Sequence, residues 1–233
     1  MRIDVLTLFP DMVKPVIQQS IVGRAMYEEK LTINVIDFRD YSENKHSKVD
    51  DYPFGGGAGM VLRVEPVVRA LRAIDGYEKA RKIIMTPQGV VHHQEQAKRL
   101  SNEDHLIILC GHYEGFDERI RDYFDEEISI GDFVLTGGEV AALVVIESVI
   151  RLIPGILNKD ASHEEDSFSD GLLEYPQYTR PREYEGKRVP DVLLSGHHQA
   201  IDDWRKEQAL KRTKVRRKDL YDHYMKKQKN AGK

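Results

Sequence analysis

The chain has 233 residues, 40% hydrophobic and 32% charged, with 17 Gly, 9 Pro and a single Cys, a composition that belongs to globular rather than disordered or fibrous proteins. No apolar run approaches the roughly 18–20 residues needed to span a bilayer, the first residues lack a signal-peptide profile, and the lone Cys110 excludes an internal disulfide framework or a cysteine-cluster metal site, so a cytoplasmic location is expected. The net charge of −4 is unevenly spread: residues 205–233 hold 12 Lys+Arg against 3 Asp+Glu, or +9, leaving −13 for residues 1–204, which fits either a solvated helix face or a polyanionic partner.

Residues 2–8 predict a buried strand ended by Phe9 and Pro10, with Asp11 as the N-cap of a helix reaching about residue 26. Alternation over 31–37 predicts a second strand. A polar loop over 38–52 then leads into Pro53-Phe54-Gly55-Gly56-Gly57-Ala58-Gly59-Met60, where four glycines in five positions preclude regular structure. No Gly-Lys-Ser/Thr follows, so it is not a P-loop, and no strand leads directly into it as a dinucleotide fingerprint requires. Glu65 and Pro66 open a helix to about residue 74. A third strand spans 81–85, a short helix 92–100 and a fourth strand 106–110. Strands alternating with helices predict an α/β fold with a mainly parallel sheet. Gly- or Pro-rich loops at 86–89, 111–115 and 130–138 fall at the strand ends where such sheets bind ligands.

The stretch Ser129-Ile130-Gly131-Asp132-Phe133-Val134-Leu135-Thr136-Gly137-Gly138-Glu139 places bare backbone N–H groups beside a helix start, which suits a ligand gripped by main chain or a tight turn without one. The helix that follows, to residue 150, is apolar apart from Glu139, Glu147 and Ser148, so it is buried within the domain or packs on another subunit. Residues 159–174 are acidic and aperiodic, the pattern of a flexible linker. An extended connection follows from Tyr175, and from Ser195 the spacing of Ile201, Trp204, Gln208, Val215, Leu220 and Tyr224 predicts a small helical domain. Three parts are therefore expected: 1–158, the linker 159–174, and 175–233. His92–His93 and His197–His198 are adjacent pairs, poorly spaced to share a metal on a helix face. Cys110 reads as a small buried apolar residue, and Trp204 as core in preference to a stacking platform.

The motifs Tyr52 to Met60, Tyr113-Glu114-Gly115-Phe116-Asp117-Glu118-Arg119, Ser129 to Glu139, Glu165-Asp166-Ser167-Phe168 and Tyr178-Thr179-Arg180-Pro181, in this order, closely resemble the bacterial tRNA (guanine-N1)-methyltransferase family, TrmD, of the SPOUT superfamily. The resemblance implies a SPOUT domain with a deep trefoil knot, against the general rule that chains avoid threading, and S-adenosylmethionine bound in it. It places the cofactor among Met85, Thr86 and Pro87, the loop residues Gly111, Tyr113 and Glu114, and Ile130, Gly131, Asp132, Phe133, Val134 and Leu135 with Gly137 and Gly138. Loops with little side-chain bulk suit an adenine held by main chain. The family usually has Tyr where this chain has Phe133.

The implied activity is methyl transfer to N1 of guanosine 37 in tRNA, next to the anticodon. That nitrogen carries a proton at neutral pH, so the chemistry needs a general base and a cation for the charge that builds on O6. By resemblance Asp166 is the base, placed when RNA orders its segment, and Arg151 the cation. The resemblance further implies a homodimer whose site is shared between subunits, a C-terminal tRNA-binding domain and a magnesium ion, for which no ligand cluster is evident. Lys211, Arg212, Lys214, Arg216, Arg217 and Lys218 suit phosphate contacts. Two other functions stay open at this point: a SPOUT enzyme methylating another RNA position, and an RNA-binding protein without catalysis.

Overall fold

The computed structural model describes residues 1–157 and 166–231, which fall into two compact units, Met1–Asn158 and Lys159–Lys233. In the first unit the elements run β1 (Arg2–Thr7), α1 (Pro10–Ile17), α2 (Ser20–Tyr27), β2 (Thr32–Asp37), β3 (Asp50–Asp51), β4 (Val61–Leu62), α3 (Val64–Arg72), β5 (Arg81–Val91), α4 (Gln94–Leu100), β6 (His105–Cys110), β7 (Glu126–Ser129) and α5 (Glu139–Ile150). Five of these strands form one sheet in the order β2-β1-β6-β5-β7, every pair parallel. This is the expected α/β architecture.

Strand periodicity divides the core. Ile3, Val5, Ile83, Met85, Leu106, Ile108 and Cys110 enter one apolar cluster with residues of α1, α2, α4 and α5, while Leu6, Ile84, Ile107 and Leu109 enter the other with Val67, Ala70 and Leu71 of α3. Alternate side chains of a strand point to opposite faces, so a sheet covered on both faces reads as a nearly continuous apolar run. Cys110 is fully buried, and burial pushes its thiol pKa well up, as a small core residue requires. One buried carboxylate in this layout needs polar satisfaction. Buried Asp4 accepts from Asn34 Nδ2 at 2.7 Å and lies 2.5 Å from His105 Nε2.

Several boundaries differ from the sequence reading. The helix expected to run to residue 26 is two helices, broken at Gln18 and Gln19. Its N-cap is Phe9 rather than Asp11, which sits in the first turn; the nearby Thr7 Oγ1 accepts from Phe9 N at 2.9 Å. The third strand does not end at Met85. Met85 and Val90 both pair with Ile128, so residues 86–89 leave the ladder as a loop and the strand then resumes. Gly89 permits the return, because a Cβ there would lie 2.5 Å from the backbone of Glu127 and Ile128. β7 itself has no counterpart in the sequence reading.

Glu126 in β7 joins two cations, Arg81 Nε at 2.8 Å and Arg99 Nη2 at 2.5 Å. Burial pushes the Glu126 pKa up, but the two guanidiniums more than offset it and hold it below its usual value of 4.5. A folded-state pKa below the unfolded one means stability that is present above the unfolded pKa and lost as pH falls through the folded one. Glu126→Gln should therefore lower stability by about 1 kcal/mol at neutral pH. In urea melts at several pH values, the gap to wild type should close as pH drops below 4.5.

In the second unit, the residues 175–194 read as an extended connection contain a hairpin, β8 (Glu183–Tyr184) and β9 (Lys187–Arg188), and a 3₁₀ turn Asp191–Leu194. The helices α6 (His198–Arg216) and α7 (Lys218–Ala231) follow. Of the expected linker, 159–165 lies outside the described residues. The rest, 166–174, is not a bare linker: Leu172 is buried, Leu173 N donates to Thr213 Oγ1 at 2.8 Å, and Arg212 Nη1 donates to Glu174 O at 3.1 Å. One guanidinium nitrogen of Arg212 is thereby engaged within the unit. Trp204 is half-buried with its ring 6.4 Å from that of Tyr178.

Candidate active site

At the carboxyl edge of the sheet the loops after β6 and β7 and the 86–89 excursion converge on a cavity of about 330 Å³. Of the fourteen expected cofactor residues, Met85, Thr86, Pro87, Gly111, Tyr113, Glu114, Ile130, Gly131, Phe133, Val134, Leu135, Gly137 and Gly138 line it, and Asp132 does not. The backbone builds its walls. Gly138 N donates to Gly111 O at 2.9 Å, Glu114 N to Met60 O at 3.0 Å, and Leu62 N to Gly115 O at 2.9 Å. Tyr113, with φ of 60°, is held in the left-handed region, which a non-glycine residue adopts only where its surroundings impose it.

The glycine-rich segment 55–59 stands beside this cavity. Gly55, Gly56, Gly57 and Gly59 all have positive φ, and Phe54 is fully exposed. The segment is therefore irregular, as its composition demands.

Beneath the cavity lies a carboxylate that the sequence showed as the end of the Ser129–Glu139 motif and a polar residue in an apolar helix, with no role of its own. Glu139, at the first turn of α5, is fully buried. It accepts from Thr7 Oγ1 at 2.6 Å and lies 2.7 Å from Nε2 of His112, a residue of the cavity wall. One side chain thus ties the end of β1 and the loop after β6 to the start of α5. A buried carboxylate persists when such partners satisfy it. His112, Gln88 and Arg121 also line the cavity without having been assigned a role from sequence; His112 and Gln88 stand out only as polar residues among glycine and proline, and Arg121 is one charge among several in Glu118–Tyr123.

The two expected catalytic residues lie in different units. Arg151 caps α5 at its C-terminal end and is half-buried. Asp166, also half-buried, opens the described part of the second unit. It lines a cavity of about 360 Å³ there together with Asp170, Glu174, Tyr175 and Arg205. Of the basic residues named for phosphate contact, Lys211, Lys214, Arg216, Arg217 and Lys218 are exposed, though Lys211 pairs with Glu207 at 2.7 Å, Arg217 with Asp219 and Lys218 with Asp222 at 2.6 Å each. Among the described residues no cluster of three or more His, Cys, Asp or Glu could hold a metal ion, and no helix is long and apolar enough to cross a membrane.

A parallel α/β sheet with a glycine-rich cavity at its carboxyl edge defines the class, an α/β protein whose open pocket lies where such sheets place their ligand sites. The sequence model described as tRNA (Guanine-1)-methyltransferase TrmD matches residues 1–223. The chain is 57% identical over 223 residues to a Brevibacillus brevis protein, covering 95% of this chain and 92% of that one. It is 57% identical over 225 residues to a Staphylococcus carnosus protein and 56% identical to one from Staphylococcus aureus, each match covering 96% of this chain and 92% of the relative. All three relatives are named tRNA (guanine-N(1)-)-methyltransferase. The chain belongs to the TrmD family of tRNA (guanine-N1)-methyltransferases.

Proposed function

We propose that this chain transfers a methyl group from S-adenosylmethionine to N1 of guanosine 37 in tRNA. The observation that carries the reading is the convergence of three separate loops on one cavity, each expected from sequence to hold the methyl donor. The lining suits that donor: Gly111, Gly137 and Gly138 present bare backbone in the cavity wall, as an adenine held by main chain needs.

When bound, the donor supplies an electrophilic methyl carbon on a sulfonium sulfur. The residues of the chain supply the rest. The Asp166 carboxylate accepts the proton from guanine N1, whose electron pair then forms the new N–CH₃ bond while the S–CH₃ pair returns to sulfur. Arg151 offsets the negative charge that builds on O6. No step is routed through magnesium, for which the described residues offer no ligand cluster.

The same reading includes the trefoil knot, cytoplasmic location and a homodimer with a shared site. Support for a second copy comes from α1 and α5, which pack together yet expose Met12, Val16, Val140 and Val144, apolar surface of the kind that pairing covers. The exposed cations of α6 and α7 suit the tRNA backbone.

The test is transfer of labelled methyl from S-adenosylmethionine to two tRNA transcripts that differ only in G or A at the target nucleotide. Label entering the G transcript alone supports the reading. Equal label in both means another nucleotide is the target, and RNA binding without label means a noncatalytic RNA-binding protein.

A further inference from the structure

We propose that Arg121 is a positioning residue that fixes the shape of the cofactor cavity and thereby sets affinity for the methyl donor; this rests on the methyl-donor reading of that cavity. Arg121 belongs to a 3₁₀ turn, Glu118–Tyr123, between β6 and β7, and its side chain is only 21% exposed. Its guanidinium is shared among three chain segments that border the cavity. Nη2 donates to Gln88 Oε1 at 2.8 Å, in the 86–89 excursion. Nε donates to Glu118 Oε2 at 2.9 Å, and the guanidinium carbon lies 5.0 Å from the centre of the Phe116 ring. Nη1 pairs with the carboxylate of Glu127 in β7. Gln88, Phe116 and Glu118 all line the cavity, and Glu127 precedes the lining residues Ile128 and Ser129.

The excursion is the segment most in need of such a tie. Residues 86–89 leave the β5–β7 ladder, so they lack the pairing to β7 that holds their neighbours, and within the segment Gln88 N donates to Thr86 Oγ1 at 3.3 Å. Close packing of Gly89 on the Glu127–Ile128 backbone fixes one end. Arg121 fixes the middle, through Gln88, to the same strand. A guanidinium suits this task because its planar fork donates in several fixed directions at once, whereas an ammonium is a single flexible point charge. The hydrogen bonds to Glu127 and Glu118 also hold Arg121 firmly charged, raising its pKa above the ordinary arginine value.

Arg121 touches no reacting atom in this scheme, so its loss should weaken donor binding and spare the chemical step. In the full-length protein, Arg121→Ala should raise the Kd and KM for S-adenosylmethionine about tenfold, a loss on the scale of one charge-assisted hydrogen bond. It should change kcat at saturating donor less than twofold and leave KM for tRNA unchanged. Arg121→Lys should recover only part of the affinity. Gln88→Ala should weaken binding alone but add little in the Arg121→Ala background, since its effect runs through the same tie. An unchanged donor Kd in Arg121→Ala, full recovery with Lys, or additive losses in the double variant would each overturn the proposal. A wild-type protein that fails to bind S-adenosylmethionine at all would instead overturn the donor reading itself. A thermal melt of each variant separates a local change from unfolding: a donor Kd that rises only in step with a collapsed melt counts against a positioning role.

Discussion

Asp166→Ala should lower kcat for methyl transfer by about 10²–10⁴-fold, the usual worth of a positioned general base. The expectation follows from the chemistry of the acceptor. Guanine N1 holds its proton at neutral pH, so methylation without a base must either expel a proton to water or build charge on a cationic ring. The effect should fall on kcat and spare the KM for S-adenosylmethionine, because among the described residues the cavity assigned to the donor is lined by residues of the first unit, whereas Asp166 belongs to the second. Asp166→Asn is the sharper variant: it keeps size and hydrogen bonding but cannot accept the proton, so it should be nearly as slow as Ala. Single-turnover methylation with saturating donor checks this. Wild-type rates in the Asn variant would assign the base elsewhere, with Asp170 and Glu174 of the same small cavity the next carboxylates to replace. A loss confined to the KM for tRNA would make Asp166 a binding residue.

The comparison of sequence with structure turns on which residues declare their environment. β1 and β6 were legible because their apolar runs are buried on both faces. β7 was not, since Glu126 and Glu127 occupy two of its four positions. That strand closes one edge of the sheet, and its acids are held by Arg81, Arg99 and Arg121 rather than by apolar packing. Cross-element ion pairs of this kind leave no periodic mark. The segment after it misleads in the opposite sense: Phe133, Val134 and Leu135 are apolar yet exposed, because they border a cavity instead of filling a core. Their composition resembles a strand, yet they line the cavity wall.

The cavity assigned to the donor was approached chiefly through family motifs and small residues, and thirteen of the fourteen residues named for it line one cavity. What escaped were the side chains that act on other side chains. Glu139 acts through His112 and Thr7, and Arg121 through Gln88, at sequence separations of 27, 132 and 33 residues. Such distances are decided by the sheet order β2-β1-β6-β5-β7, which brings the ends of strands distant in sequence to one edge. The order of strands in space is not written in the periodicity of any one of them. The linker shows a related limit: a polar, aperiodic stretch such as 166–174 looks loose, but its main chain is fastened by Thr213 and Arg212, partners about forty residues away.

Gly138→Ala should lower the stability of the first unit by about 1–3 kcal/mol, the usual cost of forcing a methyl group into a packed site, and so its melting temperature by about 3–10 °C. The reason is space, not backbone freedom. Gly138 has φ of −82° and ψ of −9°, helical values that any residue can adopt. A Cβ there, however, would lie 2.8 Å from Cys110 Cα and 2.9 Å from Gly111 N, well inside the contact distance at which carbon atoms attract. Neither neighbour can step aside, because both are main chain at the end of a central strand, and Gly138 N is bound to Gly111 O. Gly111→Ala is the matched control. Its Cβ would meet nothing closer than 3.5 Å, the edge of the Phe116 ring, so alanine should cost less than about 1 kcal/mol there, as expected of a surface-like substitution without a clash. Both glycines line the cavity, so a general intolerance of bulk in the donor site would penalise the two variants alike. Differential scanning calorimetry without donor isolates the close crossing of the two segments: a large drop for Gly138→Ala beside a small one for Gly111→Ala locates the constraint in that crossing. Equal drops would mean that the loops are held by the cavity as a whole, and a wild-type melt for Gly138→Ala would mean that the crossing opens freely.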